Sequence, residues 1–479
     1  MDTPAGPRAG AGGGGVPRST AAVSPGPGWA TRVGDLVYPL TISHRGGPNI
    51  YPENSWEAKS GSVSAGFVPE FDLQLLADGR TLVSCHDTTV DRTMTGIASG
   101  PVSTKTVPEW KRARIRPAIP GGREGRPILW DEVLDTWGGV VVLVPELKDP
   151  AGADVFVAGV VRRGLQSSVL AQTFDQTIAR RIAAAGIETM FLSHRYPAEP
   201  VEALLAAGIG FVGADLAHWT TADVAAGQAA GLRVLGFTVR TRAEAMGAVA
   251  QACDGVFSDD AWLTTDSIPV QSGDPFGDGV KPFGMGQPYR SPGVDVLDPP
   301  LRLAGRSLGF SAPTGVVTYA RAPWAGTVEQ PVRVAMRVHF GPSADQAEDA
   351  GFVLLRDAAG RRFVDGPAPG QDALVLVVGR DGRLRGWSCT DGSPPLPLGP
   401  TSPPAAPLVA PGAEGVVDFS VVLTGATARL HAQGGGTVGD VLLDGITSPG
   451  PAGLLLRWPG TRAPGFPGFI SDVTVVPLA

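Results

Sequence analysis

Short apolar runs alternate with amphipathic segments through the first half of the chain. Eight of the runs have the length of β-strands, at 37–44, 68–74, 140–148, 168–174, 188–193, 210–216, 233–239 and 254–259. Alanine-rich segments with a helical period lie between most of the later ones, at 154–163, 175–185, 200–207 and 221–230. Repeated strand–helix alternation is typical of parallel βα units, and eight such strands close a (β/α)8 barrel. We therefore predict an α/β fold, a TIM-type barrel, for residues 36–265.

One further apolar run, 81–87, follows the second predicted strand after only the short segment 77–80. A parallel crossover needs a dozen or more residues, so we expect an antiparallel hairpin at the barrel mouth. An open doubly wound sheet is the alternative architecture, but no G-x-G-x-x-G motif follows a strand here. The segment 96–126, which contains Trp110 and several arginines, is expected to cap the mouth.

The pattern changes in the second half of the chain. Residues 266–292 are rich in glycine and proline and lack periodicity, which predicts a linker. Short alternating runs with turn signals follow, and Asp381-Gly382 between two of them is a strong hairpin signal. We predict that residues 293–479 form a second domain, an all-β sandwich with a jelly-roll-like arrangement. Residues 1–35, rich in glycine and proline, are predicted to be a flexible arm.

Composition and charge exclude several classes of protein. Apolar residues make up 43% and charged residues 18%, which is not the composition of a disordered polar chain. A net charge of −7 offers no basic face for nucleic acid. The three cysteines lie far apart, which argues against a disulfide framework. Neither a membrane-spanning run nor a signal peptide is visible, so a cytoplasmic location is the default expectation, and a surface or particle location stays open.

Two carboxylates stand on the second predicted strand, near the end at which barrel enzymes keep their active sites. Glu70 and Asp72 are two residues apart and therefore share a face of the strand. Buried carboxylates side by side repel each other unless a cation lies between them, and ligation by oxygen alone suits Mg²⁺ or Ca²⁺. The alternative is an outward-facing pair on an exposed strand.

The neighbouring strand ends repeat this pattern of functional side chains. Glu146 and Lys148 share a face directly after an apolar run. Glu146 could supply a third oxygen to the metal, and Lys148 could contact a phosphate. The alternative is a structural ion pair between the two side chains. His44 and His86 end two strands at the same mouth, where two imidazoles can act as acid and base near neutral pH. A surface role for His86 is the alternative. The remaining histidines, His194 among them, have no such neighbours and are interpreted as ordinary.

Taken together, these motifs resemble the glycerophosphodiester phosphodiesterase family. The resemblance rests on H-R-G with P-E-N (44–46 and 52–54), E-x-D (70–72), H-D followed by R-T-x-x-G (86–96) and E-x-K (146–148). Weaker similarities occur at 172–175, 237–239 and 254–259. The resemblance covers about residues 38–265 and stops at the predicted linker.

The resemblance implies a barrel that binds one divalent cation, Mg²⁺ or Ca²⁺, and hydrolyses glycerophosphodiesters to glycerol 3-phosphate and an alcohol. It implies metal ligation by Glu70, Asp72 and Glu146, acid–base catalysis by His44 and His86, and substrate contacts by Arg45, Lys148 and Phe237. It does not indicate which histidine is the acid.

Three positions depart from the family pattern without removing a catalytic group. Lys59 stands where an apolar helix residue is usual, Phe237 replaces a frequent tryptophan, and Ser258 replaces a threonine. Phe237 retains an aromatic wall but lacks the indole donor, which leaves the preference among substrates open.

Several functions remain as alternatives. Small deacylated phospholipids such as glycerophosphocholine fit the chemistry, and so does a polyglycerol-phosphate polymer such as teichoic acid, at a cell surface or in a particle. The β domain favours the polymer, because domains of this fold often contact a glycan or an assembly. This argument rests on analogy of fold alone. A structural or adhesive subunit is disfavoured because the set of catalytic candidates is intact. A lyase of choline-bearing phospholipids is disfavoured because P-E-N and E-x-K match the diesterase better.

Overall fold

The computed structural model describes the first half of the chain nearly completely and the second half in segments. The described residues are 29–196, 201–240, 242–264, 289–290, 301–304, 307–310, 318–321, 327–328, 330–343, 345–357, 371–390, 395–399, 406–446, 452–458 and 468–478. Helices α1 to α8 span Trp56–Ser64, Val107–Arg112, Trp130–Trp137, Ala153–Arg162, Gln176–Ala184, Val201–Ala206, Thr221–Ala229 and Arg242–Ala250. None of the described helices is long and apolar enough to cross a membrane.

The strands fall into two groups along the chain. Strands β1 to β11 span Leu40–Ser43, Val68–Leu75, Leu82–Ser84, Met94–Thr95, Arg114–Ile115, Val144–Leu147, Leu170–Thr173, Glu188–Ser193, Ile209–Asp215, Arg233–Val239 and Gly255–Ser258. Strands β12 to β19 span Tyr289–Arg290, Leu301–Ala304, Ser307–Phe310, Thr318–Arg321, Thr327–Val328, Val332–Phe340, Asp349–Asp357 and Gln371–Gly379. Strands β20 to β26 span Leu384–Cys389, Leu396–Pro397, Gly415–Thr424, Thr427–Gly434, Thr437–Leu443, Ala452–Trp458 and Gly468–Pro477.

Eight parallel strands close into a barrel, as predicted. Their order around the barrel is β1, β2, β6, β7, β8, β9, β10 and β11, and β11 pairs back onto β1. Each of the eight lies in one of the predicted apolar runs, to within one residue at the ends of β2 and β9. The additional strand β3 pairs antiparallel with the end of β2, with Leu75 opposite Leu82, which confirms the predicted hairpin.

Apolar side chains fill the barrel and the layer between its strands and helices. The interior cluster includes Ile42, Val144 and Met190, all fully buried. A second cluster joins the outward faces of β2, β6 and β7 to α3, α4 and α5. A TIM-type barrel is a packed core rather than a pore, so polar side chains have room only at the ends of its strands.

The segment between β3 and α3 packs beside the β2–β3 hairpin. It contains the two-stranded β4–β5 sheet and α2, whose Trp110 is fully buried and donates its indole N–H to the carbonyl of Ile128 at 3.2 Å. Trp110 belongs to a buried cluster with Val83 and Cys85 of the hairpin. This segment therefore extends the hydrophobic core at one side of the barrel.

The second half of the chain forms two antiparallel sheets. One has the order β12, β15, β25, β18, β19, β20, β21, with β16 also on β25, and the other the order β13, β14, β26, β17, β22, β23, β24. One buried cluster contains residues of both sheets, and the rings of Phe352 and Phe419 stack across it with centroids 5.6 Å apart. The sheets thus pack face to face, as predicted for a sandwich. The hairpin signal at Asp381-Gly382 lies between β19 and β20, and Gly382 has a φ of 82°.

Parts of the predicted arm (1–35) and of the predicted linker (266–292) make ordered contacts in the described residues. Residues 1–28 of the arm and most of the linker lie outside them. From Trp29 onward the chain packs on the barrel: Val142 N–H donates to the carbonyl of Ala30 at 3.1 Å, and Val33 is buried in the interior cluster. Tyr289–Arg290, predicted as linker, pair with β15. At the end of the arm, Trp29, Ala30 and Val33 supply the apolar contacts that hold the chain on the barrel.

Closure of the barrel depends on close contact between β1 and β11 at Gly255. A Cβ atom there would lie 2.4 Å from the main-chain oxygen of Leu40, which cannot move without opening the strand pair. We expect Gly255→Ala to lower the free energy of unfolding by about 2–3 kcal/mol. Gly210→Ala, in β9 with open space around it, is the matched control and should change it by less than about 0.5 kcal/mol. Chemical denaturation measures both, and equal stability of the two variants would contradict the close approach.

Candidate active site

The inward direction of two carboxylates on β2 follows from the packing of the residue between them. Phe71 points to the helix layer, where its ring meets that of Trp130 edge-on at 5.4 Å. Because side chains alternate along a strand, Glu70 and Asp72 must point into the barrel. Both are buried, at 1% and 0% exposure. The alternative of an outward-facing pair is therefore wrong.

Strand register gathers further polar groups beside them. Asp72 pairs with Glu146 across β2 and β6, and Glu146 pairs with Gln172 across β6 and β7. One carboxylate oxygen from each of Glu70, Asp72 and Glu146 lies within 4.8 Å of the other two. The three acids, which we call the acidic trio, thus converge at the carboxyl end of the barrel.

Two flexible cations face the acidic trio. Lys148 Nζ lies 2.8 Å from Glu146 Oε2 and 3.2 Å from Asp72 Oδ1. Arg45 Nε lies 3.8 Å from Asp72 Oδ2, and its backbone N–H donates to Glu70 Oε2 at 2.6 Å. Both side chains are about one-fifth exposed, at 20% and 19%. They contact the acids from the open side of the site.

The three acids have divergent pKa values. Burial raises the pKa of Glu146 to about 7, and the nearby Asp72 acts in the same direction. Burial, together with Asp72, also raises the pKa of Glu70. Burial would raise the pKa of Asp72 as well, but Lys148 and Arg45 outweigh it and hold that pKa well below its usual range. Asp72 is therefore firmly ionised, whereas Glu70 and Glu146 are easily protonated unless a further cation is bound beside them.

The donor set fits a hard divalent cation. All three ligand candidates offer oxygen, the chemistry that Mg²⁺ and Ca²⁺ prefer, and their separation suits oxygens around one ion. Asp72 Oδ1 and Gln172 Oε1 are buried without an aligned hydrogen bond. Since buried polar atoms are normally satisfied, both oxygens suit a positively charged ligand, and Asp72 Oδ1 already has the Lys148 ammonium at 3.2 Å.

His44 follows β1 and has a partner from the opposite end of the barrel sequence. Its Nδ1 lies 2.5 Å from Oδ1 of Asp259, the residue after β11. Burial disfavours the imidazolium, but the Asp259 carboxylate outweighs it, so the pKa of His44 lies above the ordinary 6.5. Asp259 thus holds the ring with Nδ1 toward itself and leaves Nε2 for other contacts.

The turn that carries His44 requires its glycine. Gly46 has a φ of 80°, and a Cβ there would lie 2.6 Å from the Cβ of Ala58 in α1. Arg45 itself has a φ of 50°, a conformation that few residues other than glycine adopt. This tight turn aims the Arg45 backbone N–H at Glu70.

His86 is held by a network at the end of the β2–β3 hairpin. Its Nδ1 lies 2.8 Å from Asp87 Oδ1, and Arg92 binds both oxygens of Asp87 at 2.6 and 2.9 Å. Arg92 also donates to both oxygens of Glu53, at 2.7 and 2.8 Å. Gln74 Nε2 donates to the carbonyl of Asp87 at 2.5 Å. These contacts tie the H-D motif to the P-E-N motif.

The pKa of His86 is shifted in the direction opposite to that of His44. Burial lowers it below 6.5, and Arg45 and Lys148 act in the same direction. Hydrogen bonds from Arg92 lower the pKa of Asp87 to about 2, so its carboxylate stays ionised and keeps its hold on the ring. Neutral His86 and protonated His44 therefore coexist over a range of pH around 6.5.

All of these side chains surround one cavity of about 390 Å³. Its lining comprises His44, Arg45, Glu70, His86, Glu146, Lys148, Gln172, Phe174, Leu192, His194, Asp215, Phe237, Thr238, Arg240 and Phe257. The predicted site residues lie in this lining, except Asp72, which lies directly beneath it. No residue of 96–126 is in this lining: the apolar residues of the segment bury against the hairpin, and the carbonyl of Arg126 accepts the backbone N–H of Trp56 at 2.9 Å, so a cap over the mouth stays a prediction.

An aromatic corner forms part of the cavity wall. Phe174 stacks on His194 with ring centroids 4.9 Å apart, and Phe237 meets both rings edge-on at about 6 Å. Asp215 binds His194 Nδ1 at 3.1 Å and His218 Nδ1 at 3.0 Å. His194, interpreted from the sequence as ordinary, is therefore part of the site, because barrel strands far apart in sequence end side by side.

Comparison with known proteins agrees with these motifs. Residues 44–262 match the model of the Glycerophosphoryl diester phosphodiesterase family. No curated protein sequence matches the chain.

Similar solved structures include three from bacteria, each covering less than half of this chain. A phosphodiesterase of Oleispira antarctica in complex with the product sn-glycerol-3-phosphate is 24% identical over 46% of this chain and 93% of its own, with a TM-score of 0.40. A glycerophosphodiester phosphodiesterase of Agrobacterium tumefaciens is 20% identical over 47% and 98%, with a TM-score of 0.40. A glycerophosphoryl diester phosphodiesterase of Parabacteroides distasonis is 21% identical over 46% and 83%, with a TM-score of 0.40.

The β-sandwich lies outside the matched residues and is not assigned to a family. Over residues 44–262 the family match, the ordered motifs and the barrel coincide. The barrel is therefore a phosphoric diester hydrolase domain of the glycerophosphoryl diester phosphodiesterase family.

Proposed function

We propose that the barrel hydrolyses a glycerophosphodiester to glycerol 3-phosphate and an alcohol, with a divalent cation held by Glu70, Asp72 and Glu146. The observation that carries this proposal is the convergence of the acidic trio with two oppositely tuned histidines around one cavity. When bound, the cation neutralises the diester charge and makes the phosphorus more open to attack. A basic side chain that the cation replaces at these carboxylates becomes available to bind the substrate.

Arg45 and Lys148 are the side chains so released. Both line the cavity and contact Asp72 from its open side. With a divalent cation on the carboxylates, the guanidinium and ammonium are free to bind phosphate oxygens, and Arg45 can do so through two N–H groups at once. Phe237 and its aromatic neighbours offer apolar surface to the carbon atoms of the substrate.

The two histidines divide the proton transfers according to their partners. We assign His86 as the general base, because its lowered pKa keeps it neutral, and it takes a proton from a water or from the neighbouring glycerol hydroxyl. We assign His44 as the general acid, because Asp259 keeps it protonated, and it donates a proton to the departing alkoxide. The nucleophile oxygen forms a new P–O bond as the P–O bond to the alcohol breaks with its electron pair on the leaving oxygen. If the glycerol hydroxyl attacks, a water then opens the resulting cyclic phosphate to glycerol 3-phosphate.

A polyglycerol-phosphate polymer is the second candidate substrate. The sandwich has a shallow surface depression of about 400 Å³ on one sheet, and its lining includes Arg337, His339, Asp418 and Gln433. Hydroxyl-rich chains bind to such groups, and a second attachment raises the effective concentration of polymer at the barrel. A contact of this domain with a glycan or an assembly remains a proposal.

The full-length protein should release glycerol 3-phosphate from glycerophosphocholine, and the release should stop when a chelator removes divalent cations and return when Mg²⁺ or Ca²⁺ is added. An enzyme-coupled assay of glycerol 3-phosphate measures this. The same assay with a polyglycerol-phosphate polymer decides between the two substrates by their kcat/KM values. A rate unchanged by chelator would contradict the metal-dependent mechanism.

His86→Ala should lower kcat by at least about 10²-fold, the low end for a general acid–base group. His431→Ala, an exposed histidine of the sandwich, is the matched control and should keep full activity. Steady-state kinetics on glycerophosphocholine measures both. Full activity of His86→Ala would show that another group accepts the proton.

The pH profile tests the assignment of the two histidines. A base must be deprotonated and an acid protonated, so kcat/KM should rise with the His86 pKa below 6.5 and fall with the His44 pKa above it. Asp259→Asn removes the anion that raises the His44 pKa, so the descending limb should move to lower pH while the ascending limb stays. A shift of the ascending limb alone would reverse the assignment.

A further inference from the structure

A fully buried lysine lies behind the acidic trio. Lys59 stands on the inward face of α1 with 0% exposure, among the largest completely buried side chains of the described residues. Fully buried lysines are rare because removing an ammonium from water is costly unless it is well paired. Neither the family resemblance nor the mechanism above uses this residue.

The Lys59 ammonium has three partners. It donates to Asn54 Oδ1 at 3.0 Å and to the main-chain oxygen of Glu70, and it lies over the ring of Phe71, 4.8 Å from the centroid. Burial lowers its pKa to about 8, against the attraction of Glu70 and Asp72. The ammonium is thus fixed away from the cavity, whose lining contains Lys148 and Arg45 but not Lys59.

Asn54 connects this ammonium to Asp72. Its Oδ1 accepts from both Lys59 Nζ and Ser84 Oγ, the latter at 2.8 Å, so its Nδ2 must point the other way. Nδ2 donates to Asp72 Oδ2 at 2.6 Å. With Oδ2 held by Asn54, Asp72 presents Oδ1, which has no aligned hydrogen bond, to Lys148 in the cavity lining.

We propose that Lys59 is a positioning residue that, through Asn54, fixes the Asp72 carboxylate in the orientation that binds the divalent cation. The inference rests on the cation site of the proposed function. Groups that orient a metal ligand from outside typically contribute 10- to 100-fold to affinity. The Lys59 ammonium also repels a bound divalent cation. We expect its effect on the orientation of Asp72 to be larger than this repulsion, because the ammonium faces a main-chain oxygen and an amide rather than the carboxylate oxygens that bind the cation.

The test is a calorimetric titration of the full-length protein with Mg²⁺ and with Ca²⁺. Lys59→Met keeps an unbranched side chain and should weaken the dissociation constant by about 10-fold or more. Lys105→Met is the matched control, since Lys105 is also buried in the barrel domain but its Nζ donates to the carbonyl of Ser99, away from the acidic trio. It should leave the dissociation constant unchanged.

A double-mutant cycle separates orientation from a general effect on the fold. Asn54→Gly removes the link while suiting the φ of 56° at this position, and should weaken binding about as much as Lys59→Met. The double variant should be no weaker than either single one, because both remove the same connection. If Lys59→Met failed to fold, Asn54→Gly would carry the test by itself, and unchanged affinity there would overturn the proposal.

The outcomes distinguish this inference from the proposed function. If the unmodified protein bound neither ion, the cation site itself would be wrong. If it bound an ion and Lys59→Met bound it equally or more tightly, or if the two single effects added, the positioning role alone would be wrong.

Discussion

Burial of three carboxylates at the end of a packed barrel is the constraint on which the rest of the site depends. Glu70, Asp72 and Glu146 are at most 8% exposed and converge within 4.8 Å. Such a cluster is costly unless cations surround it. Here Lys59 lies behind the acids, and Arg45 and Lys148 lie in front of them. The rear cation is fixed by hydrogen bonds, whereas the front pair can exchange a carboxylate for a phosphate.

Closure of the barrel then determines the chemistry of the histidines. Asp259 reaches His44 only because β11 returns to pair with β1, which joins residues 215 positions apart. His86 depends instead on a local turn, held by Asp87 and Arg92. At His44 the Asp259 carboxylate outweighs burial, whereas at His86 burial prevails with the help of Arg45 and Lys148, so the two imidazoles have opposite pKa shifts. The fold thus separates an acid from a base.

Local pattern was sufficient to predict much of this molecule. The eight barrel strands and the β2–β3 hairpin follow from apolar runs and connection lengths, and Glu70 and Asp72 follow from alternation along one strand. Strand β12 falls in the predicted linker because a strand of two residues leaves no alternating pattern to recognise. Asp259 and Gln172 lie in weak motifs of the resemblance, but their contacts with His44 and Glu70 depend on tertiary neighbours.

Lys59 is the clearest case in which pattern was insufficient. In the sequence it is a departure at a usually apolar position, which could equally have been an exposed residue of α1. The H-R-G turn packs closely on α1 at Ala58 and Lys59, and the lysine ammonium reaches Asn54 and Glu70 in the interior. A polar residue on the buried face of a helix is a signal for such a network, although its partners appear only in three dimensions.

Binding of Mn²⁺, followed by loss of the free ion's electron paramagnetic resonance signal, tests most directly whether the acidic trio is a cation site. The full-length protein should bind one Mn²⁺ per chain at the trio, and Mg²⁺ or Ca²⁺ should displace it. Asp72→Asn keeps the shape of the side chain but removes the one firmly ionised ligand, and should abolish this binding. Binding that is absent in the unmodified protein, or equal in Asp72→Asn, would contradict a cation site at these three carboxylates.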